Sequence, residues 1–231
     1  MGDFKTAEQS KQEEIEAMGE PLGELYHHLW QELTWLYSKW FEFVELFGTK
    51  KSRIDLMNET APYFFNIVQS TFWENILLSI AKLIDVSNTY GKKANLTILK
   101  IPELIDETKF KKEITELIEE AKEKTKFCTD WRNRRLAHFD YLVAINKSTK
   151  ELELASREKA KTALTSIAKV LNTVSKKYLG STTAFDFTGG SIGGAGFLLY
   201  YLHYGIKNIN EREERILNHK STDCDFEEPD I

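Results

Sequence analysis

Apolar residues recur at steps of three and four along most of the chain, which is the period of an amphipathic α-helix. The clearest stripe begins after Pro21, a residue suited to a first helical turn, and stops at Gly48, a residue suited to a helix end. Its members are Leu22, Leu25, Leu29, Leu33, Leu36, Trp40, Phe43 and Phe47. The stripe predicts one long helix with a single buried face.

The same period predicts three further long helices. The second runs from about Ser52 to Val86; it is apolar nearly all round, and Pro62 is expected to break or kink it early. The third covers about Thr108 to Ala137. The fourth follows Ser156, which suits an N-cap, and ends at Gly180.

Shorter elements fill the remaining chain. The pattern predicts a charged helix at 3–19, one or two helical turns at 96–105, and a connector at 141–155 with room for two brief strands. A short apolar helix at 195–205 is followed by a separate polar helix. The fold is therefore predicted to be all-α: an antiparallel helical bundle of four to five long helices, with a short C-terminal helical appendage.

Charge separates the end of the chain from its body. The predicted divisions are a polar N-terminal extension at 1–20, the bundle at 21–205, and a polar helix with an acidic tail at 206–231. The net charge is −5, and residues 221–231 carry five acids and no base, so the rest of the chain is neutral. Such a chain lacks the broad basic field of non-specific nucleic-acid binders, so no DNA partner is predicted and any RNA contact must be local. We expect the tail to be peripheral and to compete with RNA by mimicking phosphates.

Other functional classes find little support in the sequence. Cys128 and Cys224 form neither a disulfide framework nor a zinc pattern, which favours a reducing, cytoplasmic location. The glycine run at 189–196 lacks the Gly-Lys-Ser/Thr of a phosphate-binding loop, and no histidine has a metal-ligand spacing. The uncharged stretch at 187–206 is broken by glycines, so no membrane span is predicted. We therefore predict no metal and no cofactor.

The candidate chemistry lies in "RNRRLAHFDY" at 132–141, which combines the guanidinium of Arg132, the amide of Asn133 and the imidazole of His138. These groups suit cleavage of an RNA backbone, because the 2′-hydroxyl can attack the neighbouring phosphorus without a metal. Histidine can move the protons near neutral pH. An arginine fork can bind the phosphate and stabilise the charge of the transition state.

A purely structural interpretation of the same stretch stays open. Basic residues complement the dipole at a helix C-terminus, and Asp130 and Arg134 are an i,i+4 pair expected on a solvated face. On an ideal helix Arg132 and His138 lie about 120° apart and do not converge. Either the helix breaks before His138, or a second copy of the chain completes the site.

Arg132-Asn133, four residues and His138 resemble the arginine–polar–histidine motif of the HEPN superfamily, and "RNRRLAHFD" is similar to the core of its AbiU-like branch. "LLSIAKLIDV" at 77–86, "NLTIL" at 95–99 and "GAGFLLYYLHYG" at 194–205 are similar to that branch in the same order. The resemblance covers roughly residues 60–205.

The resemblance implies a helical bundle that dimerises through its motif helices and forms one composite cleft. It implies that Arg132 and His138 are the catalytic residues, and that Asn133, Arg135 and Asp140 bind or orient the substrate, Asp140 by fixing the imidazole. The implied function is a metal-independent HEPN-type endoribonuclease in phage defence by abortive infection, or a toxin with a neutralising partner protein. The alternatives are a non-catalytic dimer that binds RNA or protein through the same cleft, and a structural bundle with no ligand.

Overall fold

The computed structural model describes residues 5–86, 88–89, 93–137, 141, 145, 151–186, 193–222 and 225. Helices dominate these residues, so the predicted all-α helical bundle is confirmed. The α-helices are α1 (Ala7–Met18), α2 (Glu20–Phe47), α3 (Lys51–Thr60), α4 (Pro62–Leu83), α5 (Thr108–Trp131), α6 (Arg157–Leu179) and α7 (Ala195–Leu217). A 3₁₀ helix covers Ile98–Leu104, where helical turns were predicted.

Several helices begin or end at the residues predicted from the sequence, because caps and prolines act locally on the backbone. The second predicted helix is split, because Pro62 starts α4 and Ala61 before it leaves the helical region with φ −151° and ψ 68°. The hydroxyl of Ser156 accepts a hydrogen bond from the Lys159 N–H at 3.2 Å and so caps α6. Gly180 ends that helix in the left-handed conformation, with φ 68°.

Two helices depart from the prediction. Residues 195–217 form one continuous helix, α7, where two helices were expected, because Gly205 alone costs a helix only about 1 kcal/mol. The third predicted helix is α-helical only to Trp131, and Arg132–Leu136 then form a π-helical turn. Between α4 and the 3₁₀ helix, the two-residue strands β1 (Asn88–Thr89) and β2 (Lys93–Ala94) pair antiparallel.

The helices divide into two compact units. The first combines Met1–Trp40 with Phe72–Thr188 and contains the motif. In it α5 packs against α6 and the 3₁₀ helix, and α1 packs against α6. Its fully buried side chains include Leu29, Leu33, Ile76, Leu77, Ile80, Ile98, Ile101, Ile114, Leu164 and Leu171.

The second unit combines Phe41–Thr71 with Gly189–Ile231. Here α3 packs against α7. Its core consists of Leu46, Met57, Phe65, Ala195 and Leu199.

Candidate functional site

The π-helical turn at the end of α5 presents the basic motif. The Ala137 N–H donates to the Arg132 carbonyl at 2.8 Å, which closes a turn one residue wider than an α-helical turn. Single π turns occur frequently at functional sites in proteins. Ideal α-helical geometry therefore does not hold over Arg132–Leu136.

Arg132 forms an ion pair with Asp85. The distance from Arg132 Nη1 to Asp85 Oδ2 is 2.7 Å, and the two side chains are 20% and 28% exposed. Arg132 Nε also donates to Asn133 Oδ1 at 2.9 Å. The guanidinium is thus held on two sides and still reaches solvent.

The loop after α4 fixes the Asp85 carboxylate. Asp85 Oδ1 accepts the N–H of Val86 at 2.9 Å. The carbonyls at this helix end are also satisfied, since the Thr97 hydroxyl donates to Leu83 O at 3.0 Å and the Asn95 amide donates to Val86 O at 2.8 Å. An aspartate near a helix C-terminus is disfavoured by the helix dipole, so the Arg132 charge compensates for the position of Asp85.

Arg134 has a different environment. It pairs with Asp130 at 3.4 Å as predicted, but the expected solvated face is wrong, because the two side chains are only 16% and 11% exposed. Asp130 Oδ2 also accepts the Glu153 N–H at 3.2 Å, and Arg134 Nη1 donates to the Glu151 carbonyl at 3.2 Å. These contacts fasten the end of α5 to the segment before α6.

Arg135 is exposed and lies over the indole ring of Trp131, with its guanidinium carbon 5.5 Å from the ring centroid. The indole N–H of Trp131 donates to the Glu153 carbonyl at 2.7 Å, which fixes the ring. Arg135 is therefore supported by a cation–π contact while its charge faces solvent.

The turn brings three of the predicted site residues together. Arg132 and Asn133 are in direct contact, and Arg135 follows on the same turn. The other two, His138 and Asp140, lie outside the described residues.

A family model for AbiU2, a HEPN family, matches residues 19–195. The chain belongs to the AbiU2 family of HEPN domains. The predicted resemblance is thus confirmed, and the match includes the segment 77–86, which contains Asp85, as well as the motif. No curated protein and no solved structure shows a significant match to the chain.

Asp85 had no predicted role, although the segment of this HEPN domain that contains it is part of the family resemblance. A cavity of about 680 Å³ lies beside this carboxylate. It is lined by Asp85 and by Trp35, Lys39 and Lys82, for which no function was predicted either. The position of Trp35 outside the apolar stripe of α2 does not single it out, because Tyr26 and Tyr37 also lie outside that stripe and are buried.

The described part of the chain contains no group of three or more histidine, cysteine, aspartate or glutamate side chains that could hold a metal ion. None of the helices in the described ranges is long and apolar enough to cross a membrane.

Cys128 is buried, and burial raises the pKa of its thiol far above the usual range, so it is an inert core residue.

Proposed function

We propose that this HEPN domain is a metal-independent endoribonuclease that cleaves RNA at a composite site on a two-fold dimer, in abortive infection or as a toxin. Family membership supports the coarse statement: the chain carries an abortive-infection-related HEPN domain, and HEPN families are generally associated with RNase activity. The observation that carries the proposal is the Arg132 guanidinium, which is oriented by Asp85 and Asn133 at a solvent-accessible turn.

Arg132 retains donors for a phosphate. A guanidinium has five N–H donors, and the contacts to Asp85 and Asn133 use Nη1 and Nε. The remaining donors suit the oxygens of a phosphodiester, and a positive charge near phosphorus stabilises the transition state of the transfer.

The proposed reaction uses the RNA as its own nucleophile. The 2′-oxygen attacks phosphorus, the bond from phosphorus to the 5′-oxygen breaks, and a cyclic phosphate forms on the upstream fragment. The proton of the 2′-hydroxyl passes to a base, and the departing 5′-oxygen takes a proton from an acid. His138 is assigned one of these proton transfers, since imidazole titrates near neutral pH. Asp140 is assigned the orientation of that imidazole.

The second candidate is a non-catalytic dimer that binds RNA or protein through the same residues. The ion pair itself favours the third alternative, a structural bundle with no ligand, because Arg132 already has a carboxylate partner within one chain. A guanidinium that served only to join the ends of α4 and α5 would need no histidine after it.

Cleavage of labelled RNA in EDTA by the purified full chain tests the proposal. We expect His138→Ala to reduce cleavage by about 10²–10⁴-fold and Arg132→Ala to abolish it and weaken RNA binding. Arg132→Lys should not restore the rate, because a point charge does not reproduce the guanidinium fork. Arg134→Ala is the matched control, since Arg134 is held by Asp130; it should affect cleavage less than either.

Two results of the cleavage assay would contradict the proposal. One is activity that vanishes in EDTA and returns with Mg²⁺, and the other is wild-type cleavage by His138→Ala. Analytical ultracentrifugation of each variant checks that the dimer persists. A wild-type chain that sediments at its monomer mass of 26.8 kDa would exclude the composite site.

A further inference from the structure

The cavity beside Asp85 has the dimensions of a ligand site. Its volume of about 680 Å³ falls in the range of about 300–1,000 Å³ that is usual for small-molecule sites. Residues of α2 and α4 form most of its wall, and Asn95 and Leu96 complete it. Asp85 links it to the motif, because the same carboxylate binds Arg132 at 2.7 Å.

Trp35 supplies a flat apolar surface at this cavity. Its side chain is 63% exposed, although tryptophan is usually among the more buried residues. Nucleic-acid bases stack on exposed aromatic rings irrespective of sequence, because every base has a π face. An exposed indole at the edge of a cavity is therefore suited to hold one base.

Lys39 and Lys82 supply positive charge to the same cavity, which the carboxylates of Glu32 and Asp85 also line. The ammonium of Lys39 donates to Asn75 Oδ1 at 2.8 Å and to Ser79 Oγ at 3.3 Å, so its position is fixed. An ammonium has three donors, and a phosphate oxygen can accept the third. Burial and the nearby Lys82 charge lower the pKa of Lys39, while Glu32 opposes them; an anion bound here would relieve the repulsion between the two lysines.

We infer that this cavity is a subsite for one nucleotide of single-stranded RNA, next to the phosphate held by Arg132. The base stacks on Trp35, and the phosphate of that nucleotide lies against Lys39 and Lys82. Asp85 separates this subsite from the motif and orients Arg132 at the neighbouring phosphate. The inference rests on the proposed function for the direction of the RNA, but binding at the cavity can be measured without cleavage.

Binding of a short fluorescent single-stranded RNA by the full chain, followed by anisotropy, tests this subsite. Trp35→Ala should weaken binding by about 5- to 100-fold, from the usual contribution of one stacked base. Trp35→Tyr should restore most of the affinity, because a smaller aromatic ring still stacks. Lys82→Gln should weaken binding. The salt dependence of binding should also fall, by about the contribution of one phosphate contact. Lys82 is exposed, so this variant avoids the packing change that replacing the half-buried Lys39 would bring.

Two matched controls accompany these variants. Tyr63 is an aromatic residue of α4 that is 81% exposed, and Lys161 is an exposed lysine of α6; neither lines the cavity. Tyr63→Ala and Lys161→Gln should bind RNA like the wild type. The subsite is wrong if Trp35→Ala and Lys82→Gln bind as tightly as these controls, or if the wild-type chain binds no RNA.

Cleavage assays of the same variants distinguish the proposed subsite from the proposed ribonuclease activity. If Arg132→Ala abolishes cleavage while Trp35→Ala and Lys82→Gln bind normally, the subsite fails and the ribonuclease stands. If the wild-type chain cleaves no RNA but its binding depends on Trp35 and Lys82, the ribonuclease fails and the subsite stands.

Discussion

Single residues decide where the Arg132 charge is placed. The motif could be predicted from the sequence because its members are adjacent in the chain. The role of Asp85 could not be predicted from the sequence, because its ion pair with Arg132 depends on the approach of two helix ends that are remote in sequence. Only the packed structure shows that approach.

Asp85→Asn tests whether this ion pair positions Arg132 for chemistry. The amide keeps the shape of the carboxylate but removes its charge, so the guanidinium loses its anchor. We expect cleavage to fall by about 10- to 100-fold, the usual effect of a misplaced catalytic group, with kcat affected more than KM. Stability should change by about 0–1 kcal/mol, because the pair is partly exposed.

Asp130→Asn is the matched control for that experiment. Asp130 holds Arg134 and the Glu153 N–H and is mostly buried, so its loss should cost stability, about 1–3 kcal/mol, and affect cleavage less. Urea unfolding and steady-state kinetics of both variants give the comparison. If Asp85→Asn loses stability but cleaves normally, the ion pair is structural only.

Glu14 and His27 form a buried pair that the sequence did not reveal, since Glu14 belongs to a helix that looked uniformly polar. His27 Nδ1 lies 2.7 Å from Glu14 Oε2. Burial raises the pKa of the Glu14 carboxyl. This effect is larger than the lowering of the same pKa by the hydrogen bond and the charge of His27. The folded chain therefore binds this proton more tightly than the unfolded chain, and the free energy of unfolding falls as the pH rises through the folded-state pKa.

Glu14→Gln should remove this part of the pH dependence, because glutamine can hydrogen-bond to His27 without ionising. Urea unfolding between about pH 4 and 7 measures it. Glu16→Gln is the control, since Glu16 is an exposed acid of the same helix that accepts a hydrogen bond from Gln12 and should leave the slope unchanged. An equal slope in wild type and Glu14→Gln would show that the pair does not set the acid dependence.

At the scale of elements, the sequence predicted the features that depend on local chemistry. Ser156 and Gly180 bound α6, and Pro62 separates α3 from α4, because caps and prolines act on their own turn. The π turn at Arg132–Leu136 was not predicted. It coincides with tertiary contacts of Asp130, Trp131 and Arg134 to the segment before α6, and no periodicity encodes such contacts.

The contact between α1 and α2 depends on a glycine. A Cβ at Gly23 would lie 2.5 Å from the Ile15 Cα and 2.7 Å from the Glu14 carbonyl oxygen, both in the backbone of α1. Gly23→Ala should therefore destabilise the chain by about 1–3 kcal/mol, in spite of the better helix propensity of alanine.

Gly205→Ala is the opposite case, because a Cβ there meets nothing within 4 Å. It should stabilise α7 by up to about 1 kcal/mol. Circular dichroism during urea unfolding measures both variants. A Gly23→Ala chain as stable as the wild type would mean that α1 moves aside at little cost.

For the whole molecule, the hydrophobic pattern predicted the all-α fold, whereas the charge distribution did not predict how the acidic C-terminal segment is held. The acidic segment 221–231 was expected to be peripheral, but this is wrong for Asp225, which is buried with only 3% of its surface exposed. The Asp225 carboxylate accepts hydrogen bonds from the Arg215 guanidinium at the end of α7 and from the Thr222 N–H at 2.9 Å. The Arg215 contact and these hydrogen bonds lower the pKa of Asp225 well below its usual range, so the carboxylate stays ionised at neutral pH.

This contact gives a clean way to test competition between the tail and RNA. Deletion of residues 226–231 removes three of the five acids and leaves Asp225 on Arg215. If the removed carboxylates compete with phosphates for the basic groups near Arg132, RNA affinity should rise at low salt. The gain should shrink as salt is added, because screening weakens both interactions. A chain with Glu227, Glu228 and Asp230 changed to their amides should behave like the deletion, since charge and not length is responsible. Equal affinities for the deletion and the wild type at low salt would leave the tail without a role in RNA binding.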